Sequence, residues 1–170
     1  MVDESGFNLA MARTHGRAPP GVRCVAHAPV NYGPNVTVLG ALSIEGVVAT
    51  LAVEGATDAA VFETFVREVL GPRLREGDTV VLDNLGAHKT AAVREAIEQR
   101  GARVLFLPPY SPDFSPIEPM WSKVKTLVRA AAARTRETLL DALAAALNRV
   151  SANDARGWFN HCGYRCGAPI

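Results

Sequence analysis

Short β-branched and apolar runs dominate the first third of the chain, and this pattern is typical of strands. Asn35–Ser43 (NVTVLGALS) and Val47–Val53 (VVATLAV) flank the turn-like Ile44–Gly46 and predict an antiparallel hairpin. The apolar segment Val22–Val30 lies between Pro- and Gly-rich clusters and predicts one further strand. A β-meander is therefore expected before the first helix.

Helical spacing begins after Thr57, a predicted N-cap, and that helix is expected to stop near Gly71–Pro72. A buried-strand run, an amphipathic helix and a second apolar run then predict a parallel β-α-β unit over Thr79–Asp83, Thr90–Arg100 and Arg103–Leu107. Further helices with Ser or Thr N-caps are predicted over Ser115–Ala133, Thr135–Val150 and Ser151–Asn160. Early strands and later alternating elements indicate an α/β domain with a mixed sheet.

Composition narrows the class of protein. The 170 residues are 48% hydrophobic and carry a net charge of +1, which predicts one globular domain without a strong basic field. Any DNA contact must then come from local patches. Three cysteines argue against a disulfide framework, and the sequence contains neither a signal peptide nor an apolar run of about 18 residues. A soluble cytoplasmic protein with no membrane partner is expected.

Three acidic residues are best placed for chemistry. Asp83 ends the TVVLD strand, and α/β folds place their sites beyond the carboxyl ends of strands. Glu118 lies in the first helical turn after a Pro-rich loop, with 34 residues between it and Asp83, and Asp3 lies in the strand that opens the chain. Each has a structural alternative: Ser115 to Glu118 is also a capping box, Asp83 suits a turn, and Asp3 suits a frayed terminus.

The segments around these acids resemble a known family. They are DESGF at Asp3–Phe7, the VLGALS hairpin segment, VVLDNLGAHK at Val80–Lys89, LPPYSPDFSPIEPMW at Leu107–Trp121 and WFNHCGY at Trp158–Tyr164. Together they resemble the catalytic domain of DDE transposases of the mariner-like superfamily, in its bacterial insertion-sequence branch. The resemblance implies an RNase H-like fold with a five-stranded mixed sheet, three antiparallel strands first, and helices on both faces.

The same resemblance implies cut-and-paste DNA transposition, with Asp3, Asp83 and Glu118 as catalytic residues that hold two Mg²⁺ or Mn²⁺ ions. Mg²⁺ prefers carboxylate oxygens, and two ions about 3.5–4 Å apart can activate a nucleophile and stabilise a leaving oxygen. Water would cleave the ends of the element, and the freed 3′-hydroxyl would join them to target DNA. The implied partner is double-stranded DNA, at the nucleoid of a bacterial cytoplasm.

Four features depart from the family pattern. Ser115 stands where the family commonly has Asn, and Pro119 directly follows the triad glutamate, so a shifted helix start or a tilt is expected. Only two residues precede Asp3, so the first strand is expected to be truncated. The helix-turn-helix half of full-length relatives is absent from the sequence, which predicts a separately encoded DNA-binding half or other transposase subunits as partners.

Further candidate site residues lie near Asp3, Asp83 and Glu118, which we call the triad. A role in contacting DNA is predicted for two residues that match family positions and for two lysines that open a run of positive charge: Asn84, His88, Lys123 and Lys125. Solvated or turn-forming roles are the usual alternative for such residues. Glu4 and Asp113 are expected to add negative charge near a metal.

The predicted organisation is a catalytic domain over residues 1–150 and a helical extension over 151–170 that packs on it. Packing of Trp158, Phe159, Cys162 and Tyr164 is expected to attach the extension. The spacings of Cys24 with His27, and of His161–Cys162 with Cys166, suit zinc ligands but match no recognised zinc finger. Two alternative functions stay open: a catalytically silent transposase remnant or half, and a general RNase H-like nuclease acting on RNA–DNA hybrids.

Overall fold

The computed structural model describes residues 1–165, and these contain strands and helices in nearly the predicted order. The strands are β1 (Val2–Phe7), β2 (Val36–Ser43), β3 (Gly46–Glu54), β4 (Thr79–Leu82) and β5 (Arg103–Phe106). The helices are α1 (Ala59–Thr64), α2 (Ala91–Glu98), α3 (Ile117–Ala131), α4 (Arg136–Leu147) and α5 (Ala152–His161). Within residues 1–165, none of the helices has both the length and the apolar character of a membrane span.

The five strands run in the predicted directions and form two adjoining groups. β1, β2 and β3 make an antiparallel sheet, whereas β4 and β5 pair in parallel. β1 lies beside β4, but no ladder joins these two strands in the described residues. Asp3 is the second residue of β1. The strand directions are thus confirmed, but the five strands do not form one continuous ladder.

The strands form a middle layer with helices on both faces, as predicted. In β2, Val38 and Leu42 pack with the core under α3, α4 and α5, whereas Leu39 and Ala41 pack with the core under α1 and α2. Successive side chains of a strand point to opposite faces, so a strand between two helical layers is apolar at nearly every position. This arrangement fixes which face of each strand meets which helix.

The strand predicted over Val22–Val30 is wrong. These residues have no regular structure, and Val22, Val25 and Val30 are 60%, 70% and 90% exposed. They lie in a long connection between β1 and β2 that is rich in Pro and Gly. A short apolar run becomes a strand where a sheet edge and burial are available, and here the exposed valines have neither.

The helix after β3 differs in its start and its course. Asp58, not Thr57, is the N-cap, because its carboxylate accepts a hydrogen bond of 2.9 Å from the backbone N–H of Val61. The chain then continues beyond α1 as a π-helix over Phe65–Leu70 and a 3₁₀ turn over Gly71–Arg73. The helix therefore does not stop at Gly71–Pro72 as predicted: it narrows there to a 3₁₀ turn and ends at Arg73.

The C-terminal helices pack on the same core as α3, as predicted. Thr135 and Ser151 cap α4 and α5 in capping boxes. Trp158, Phe159 and Tyr164 pack against the core, Cys162 is buried in the described structure, and the Tyr164 hydroxyl donates to the carbonyl of Phe114 at 2.8 Å. The division into residues 1–150 and 151–170 stays a prediction, and Cys166 lies outside the described residues.

Candidate active site

Asp3, Asp83 and Glu118 line one open cavity of about 440 Å³. They come from three elements: β1, the end of β4 and the first turn of α3. The Pro-rich segment 108–112 forms another wall of the cavity. The fold thus brings together carboxylates that are far apart in the sequence.

Asp3 lies on the face of β1 that α3 covers. Its Oδ2 accepts a hydrogen bond of 3.1 Å from the Trp121 indole N–H. Burial raises the pKa of Asp3 to about 6, and the negative charges of Glu118, Glu4 and Asp83 add to that rise, against a hydrogen bond from the Glu4 backbone. Burial is the main cause of this raised pKa, and the charges of Glu118 and Asp83 contribute to it.

Asp83 is held by two contacts to its Oδ1. The backbone N–H of Leu85 donates to it at 2.9 Å, and the Nδ1 of His88 lies 2.6 Å from it. His88 is buried and reaches Glu4 on its other side, with Nε2 3.1 Å from the Glu4 carboxylate. A ring between two carboxylates can donate to both only when it is doubly protonated.

The surroundings of His88 favour that charged form. Burial lowers the pKa of His88, but the hydrogen bond and charge of Glu4, together with those of Asp83, outweigh it and raise the pKa above its ordinary value. The ring also packs against Phe62, with ring centroids 3.9 Å apart. The predicted contact of His88 with DNA is incompatible with this placement, because the ring is buried and both nitrogens face carboxylates.

Glu118 is exposed, lines the cavity and lies in the first turn of α3. α3 begins at Ile117, with Pro116 as N-cap, so the start is shifted by one residue from the one that Ser115 would cap. Pro119 then lies in the first turn, where a backbone N–H has no partner within the helix. The capping-box alternative for Glu118 is wrong, because α3 has no side-chain cap and the Ser115 N–H donates to Pro112 at 2.8 Å.

The four residues predicted to contact DNA have different surroundings. Besides the buried His88, the Asn84 side chain lines the cavity and donates to the carbonyl of Leu107. Lys123 forms an ion pair of 2.6 Å with Asp154, and this bond is the main reason why the pKa of Asp154 falls to about 2. Lys125 and Arg129 line a separate groove below the long β1–β2 connection.

Within residues 1–165, no three His, Cys, Asp or Glu side chains lie close enough together to form a preformed metal-binding site. This holds for the triad and for the zinc-like spacings, since Cys24 lies exposed in the β1–β2 connection while Cys162 is in the core. Asp113 is exposed in a 3₁₀ turn of the Pro-rich loop and does not line the cavity. Trp121 was not among the predicted site residues, although its position three residues after Glu118 on a predicted helix places both on one helix face.

The comparisons with known proteins agree with this geometry. A family model described as DDE superfamily endonuclease matches residues 1–140. The chain belongs to the DDE superfamily endonucleases. A search of curated proteins finds no match.

This DDE endonuclease chain has the fold of a transposase catalytic domain. It is similar to Mos1 transposase in a paired-end complex with the left transposon end, with a TM-score of 0.78 and 18% identity over 95% of this chain and 51% of that one. For the Mos1 strand transfer complex the TM-score is 0.72 and the identity is 19%, over 95% of this chain and 50% of that one. For the catalytic domain of Mos1 mariner transposase the TM-score is 0.61 and the identity is 18%, over 75% of this chain and 69% of that one. The chain spans about half the length of the Mos1 chains in the two complexes.

Proposed function

We propose that this chain is the catalytic domain of a transposase that cleaves DNA and transfers its strands in cut-and-paste transposition. One observation carries the proposal: Asp3, Asp83 and Glu118, on three elements, line one cavity in a chain of the DDE endonuclease family. An endonuclease of another kind acting on RNA–DNA hybrids would use similar carboxylates, but the fold is similar to that of transposase complexes.

The donor set fits Mg²⁺ or Mn²⁺. Carboxylate oxygens are hard ligands, and the repulsion that helps to raise the pKa of Asp3 would be relieved by a bound cation. Asp3, Asp83 and Glu118 would hold the metal, which we propose to be two ions, after their side chains turn toward one another. Solved structures of the Mos1 catalytic domain with raltegravir contain Mg or Mn. When bound, the ions would polarise the phosphate and activate the attacking oxygen.

The residues around the triad prepare it for that task. Leu85 and His88 fix one oxygen of Asp83, and Trp121 fixes one oxygen of Asp3. The cavity is open, so a DNA strand can reach the carboxylates. The proposed partners are the transposon ends, the target DNA and a DNA-binding half or further subunits, because Mos1 forms complexes with transposon ends. The proposed location is the nucleoid of a bacterial cytoplasm.

The first test is Mn²⁺ binding by calorimetry, together with nicking of a supercoiled plasmid in Mn²⁺. Asp83→Asn and Glu118→Gln are expected to remain folded by circular dichroism and to lose both binding and nicking. Asp113→Asn is the matched control, because this acid is exposed in the neighbouring loop and is expected to behave like the parent.

The outcomes separate the candidate functions. A folded parent that binds no Mn²⁺ contradicts the proposal. Mn²⁺ binding without nicking favours a catalytically silent half that needs its partner. Cleavage confined to the RNA strand of an RNA–DNA hybrid favours a general RNase H-like nuclease.

A further inference from the structure

We propose that Trp121 is a positioning residue that ties Asp3 to the helix carrying Glu118, and that Gly40 is the position that makes room for it. This inference rests on the proposed function, because it concerns how two of the three carboxylates are held in register. It adds two residues, neither of them acidic, to the machinery of the site.

Trp121 connects two elements of the site through a single side chain. It lies on α3, three residues after Glu118, so that both residues project from the same stretch of the helix. Its indole N–H donates to Oδ2 of Asp3 at 3.1 Å, across a sequence separation of 118 residues. A buried indole N–H needs an acceptor, and Asp3 supplies it. Any displacement of α3 therefore moves Glu118 and the donor to Asp3 together.

The indole ring is enclosed on its other sides. Trp121 is 2% exposed, and the Phe7 ring packs edge to face against it with centroids 6.2 Å apart. Phe7 and Asp3 lie on the same strand, four residues apart, and therefore point to the same face. The ring is thus held against β1 at one end by packing and at the other by the hydrogen bond.

Gly40 provides the space for this ring. It pairs directly with Asp3 in the β1–β2 register, so a side chain at position 40 would project beside that of Asp3. A Cβ at Gly40 would lie 2.8 Å from both Cη2 and Cζ2 of Trp121. Carbon atoms that are not bonded to each other do not approach so closely, and the enclosed ring has little room to move away. An alanine at this position is therefore expected to push the indole away from Asp3.

The experiment compares Trp121→Phe with Trp158→Phe. Phenylalanine keeps an aromatic ring but removes the N–H, and Trp158 packs on the same core without a bond to the triad. Mn²⁺ affinity is measured by calorimetry, and plasmid nicking is measured against metal concentration. Trp121→Phe is expected to weaken Mn²⁺ binding about tenfold, in the range usual for groups that orient metal ligands. The maximal nicking rate at saturating Mn²⁺ should change much less, and Trp158→Phe should match the parent.

Gly40→Ala supplies a second variant that acts on the same bond from the other side. It is expected to weaken Mn²⁺ binding in the same direction. The double variant should lose no more affinity than the stronger single one, because the bond can be lost only once. Thermal unfolding and circular dichroism are used to check that each variant folds.

The bond itself is tested in the parent by the indole N–H signals in a ¹H–¹⁵N spectrum. The chain has two tryptophans, so Trp158 serves as the internal reference. Asp3→Ala is expected to shift one indole signal and to speed its hydrogen exchange, and no change in either signal would contradict the bond. If the parent binds Mn²⁺ and Trp121→Phe binds it equally well, the inference is overturned while the proposed function stands. A parent that does not bind Mn²⁺ overturns the proposed function, and the inference with it.

Discussion

Asp3 and Glu4 are neighbours in the sequence with different environments, because a strand points successive side chains to opposite faces. Asp3 faces α3 and meets Trp121, whereas Glu4 faces the other side and meets the buried His88. Glu4 does not line the cavity: its carboxylate contacts His88, which contacts Asp83, and its charge adds to the rise in the pKa of Asp3. The same alternation is the reason that Asp3, and not Glu4, lines the cavity.

Asp3→Asn is expected to stabilise the metal-free protein at neutral pH. The folded-state pKa of about 6 exceeds the ordinary value of 3.8, so ionising Asp3 costs stability as the pH rises through that interval. The cost is absent below about pH 4 and complete above about pH 7, and two pKa units correspond to roughly 3 kcal/mol at most. Urea unfolding at pH 7.5 and pH 4 measures it. The gain should disappear at pH 4, and a less stable variant at pH 7.5 would contradict the prediction.

His88→Asn is expected to destabilise the protein, and more strongly at pH 6 than at pH 9. Because the pKa of folded His88 is raised above 6.5, its stabilising effect is complete below that value and is lost as the pH rises through the folded pKa. Thermal unfolding across this range measures the difference. His161→Asn, at the exposed end of α5, is the control for replacing a histidine outside the cavity. An equal loss at both pH values would mean that His88 acts by packing alone.

α3 is the element that organises the site. Its first turn presents Glu118, its next turn buries Trp121 against Asp3, and its later turns carry Lys125 and Arg129 toward a second groove. Pro119 is tolerated because it lies in the first turn. A single helix thus joins the cavity to a basic surface, and the two lysines on it have different surroundings.

Lys125→Ala is expected to weaken binding of double-stranded DNA more than Lys123→Ala does. Lys123 is already paired with Asp154, whereas Lys125 has no carboxylate partner among residues 1–165. Removing one phosphate contact should lower the slope of log affinity against log salt by about one. Fluorescence anisotropy at several salt concentrations measures this slope. Equal slopes for the two variants would show that neither lysine is selected for phosphate contact.

In the whole molecule the sheet is enclosed between two helical layers. Leu39 and Leu42 are separated by an odd number of positions on β2, so their side chains point to opposite faces and belong to different cores. The cavity opens where β1, the end of β4 and the start of α3 meet at one edge of this layered body. Both cores therefore support the position of the triad.

Leu39→Ala and Leu42→Ala are each expected to lower the free energy of unfolding by about 2–5 kcal/mol, because both side chains are buried in packed cores. Val25→Ala, on the exposed β1–β2 connection, should change it by less than about 0.5 kcal/mol. Urea unfolding of the three variants measures the differences. A leucine that could be removed at little cost would mean that its face of the sheet is not covered as described.

Much of the fold and of the site could be predicted from the order and spacing of residues. The hairpin, the β-α-β unit and the caps at Thr135 and Ser151 depend on neighbours in the sequence, and the structure has them. The motifs around Asp3, Asp83 and Glu118, together with the 34 residues between the last two acids, resembled the DDE family whose model matches the chain. The missed strand at Val22–Val30 shows the limit, because local apolar content does not reveal whether a partner strand is near.

The rest depended on contacts between distant segments, which no periodicity records. The alternation along β1 separates Asp3 from Glu4, but only packing shows that Trp121 lies over one and His88 beneath the other. In the sequence, Gly40 is an ordinary residue of a predicted strand. Only the structure shows that the Trp121 indole fills the space that a side chain at position 40 would need. Lys123 and Lys125 are indistinguishable in sequence, and Asp154, 31 residues after Lys123, separates them. Local chemistry determines the elements, whereas the folded chain determines which charges face one another.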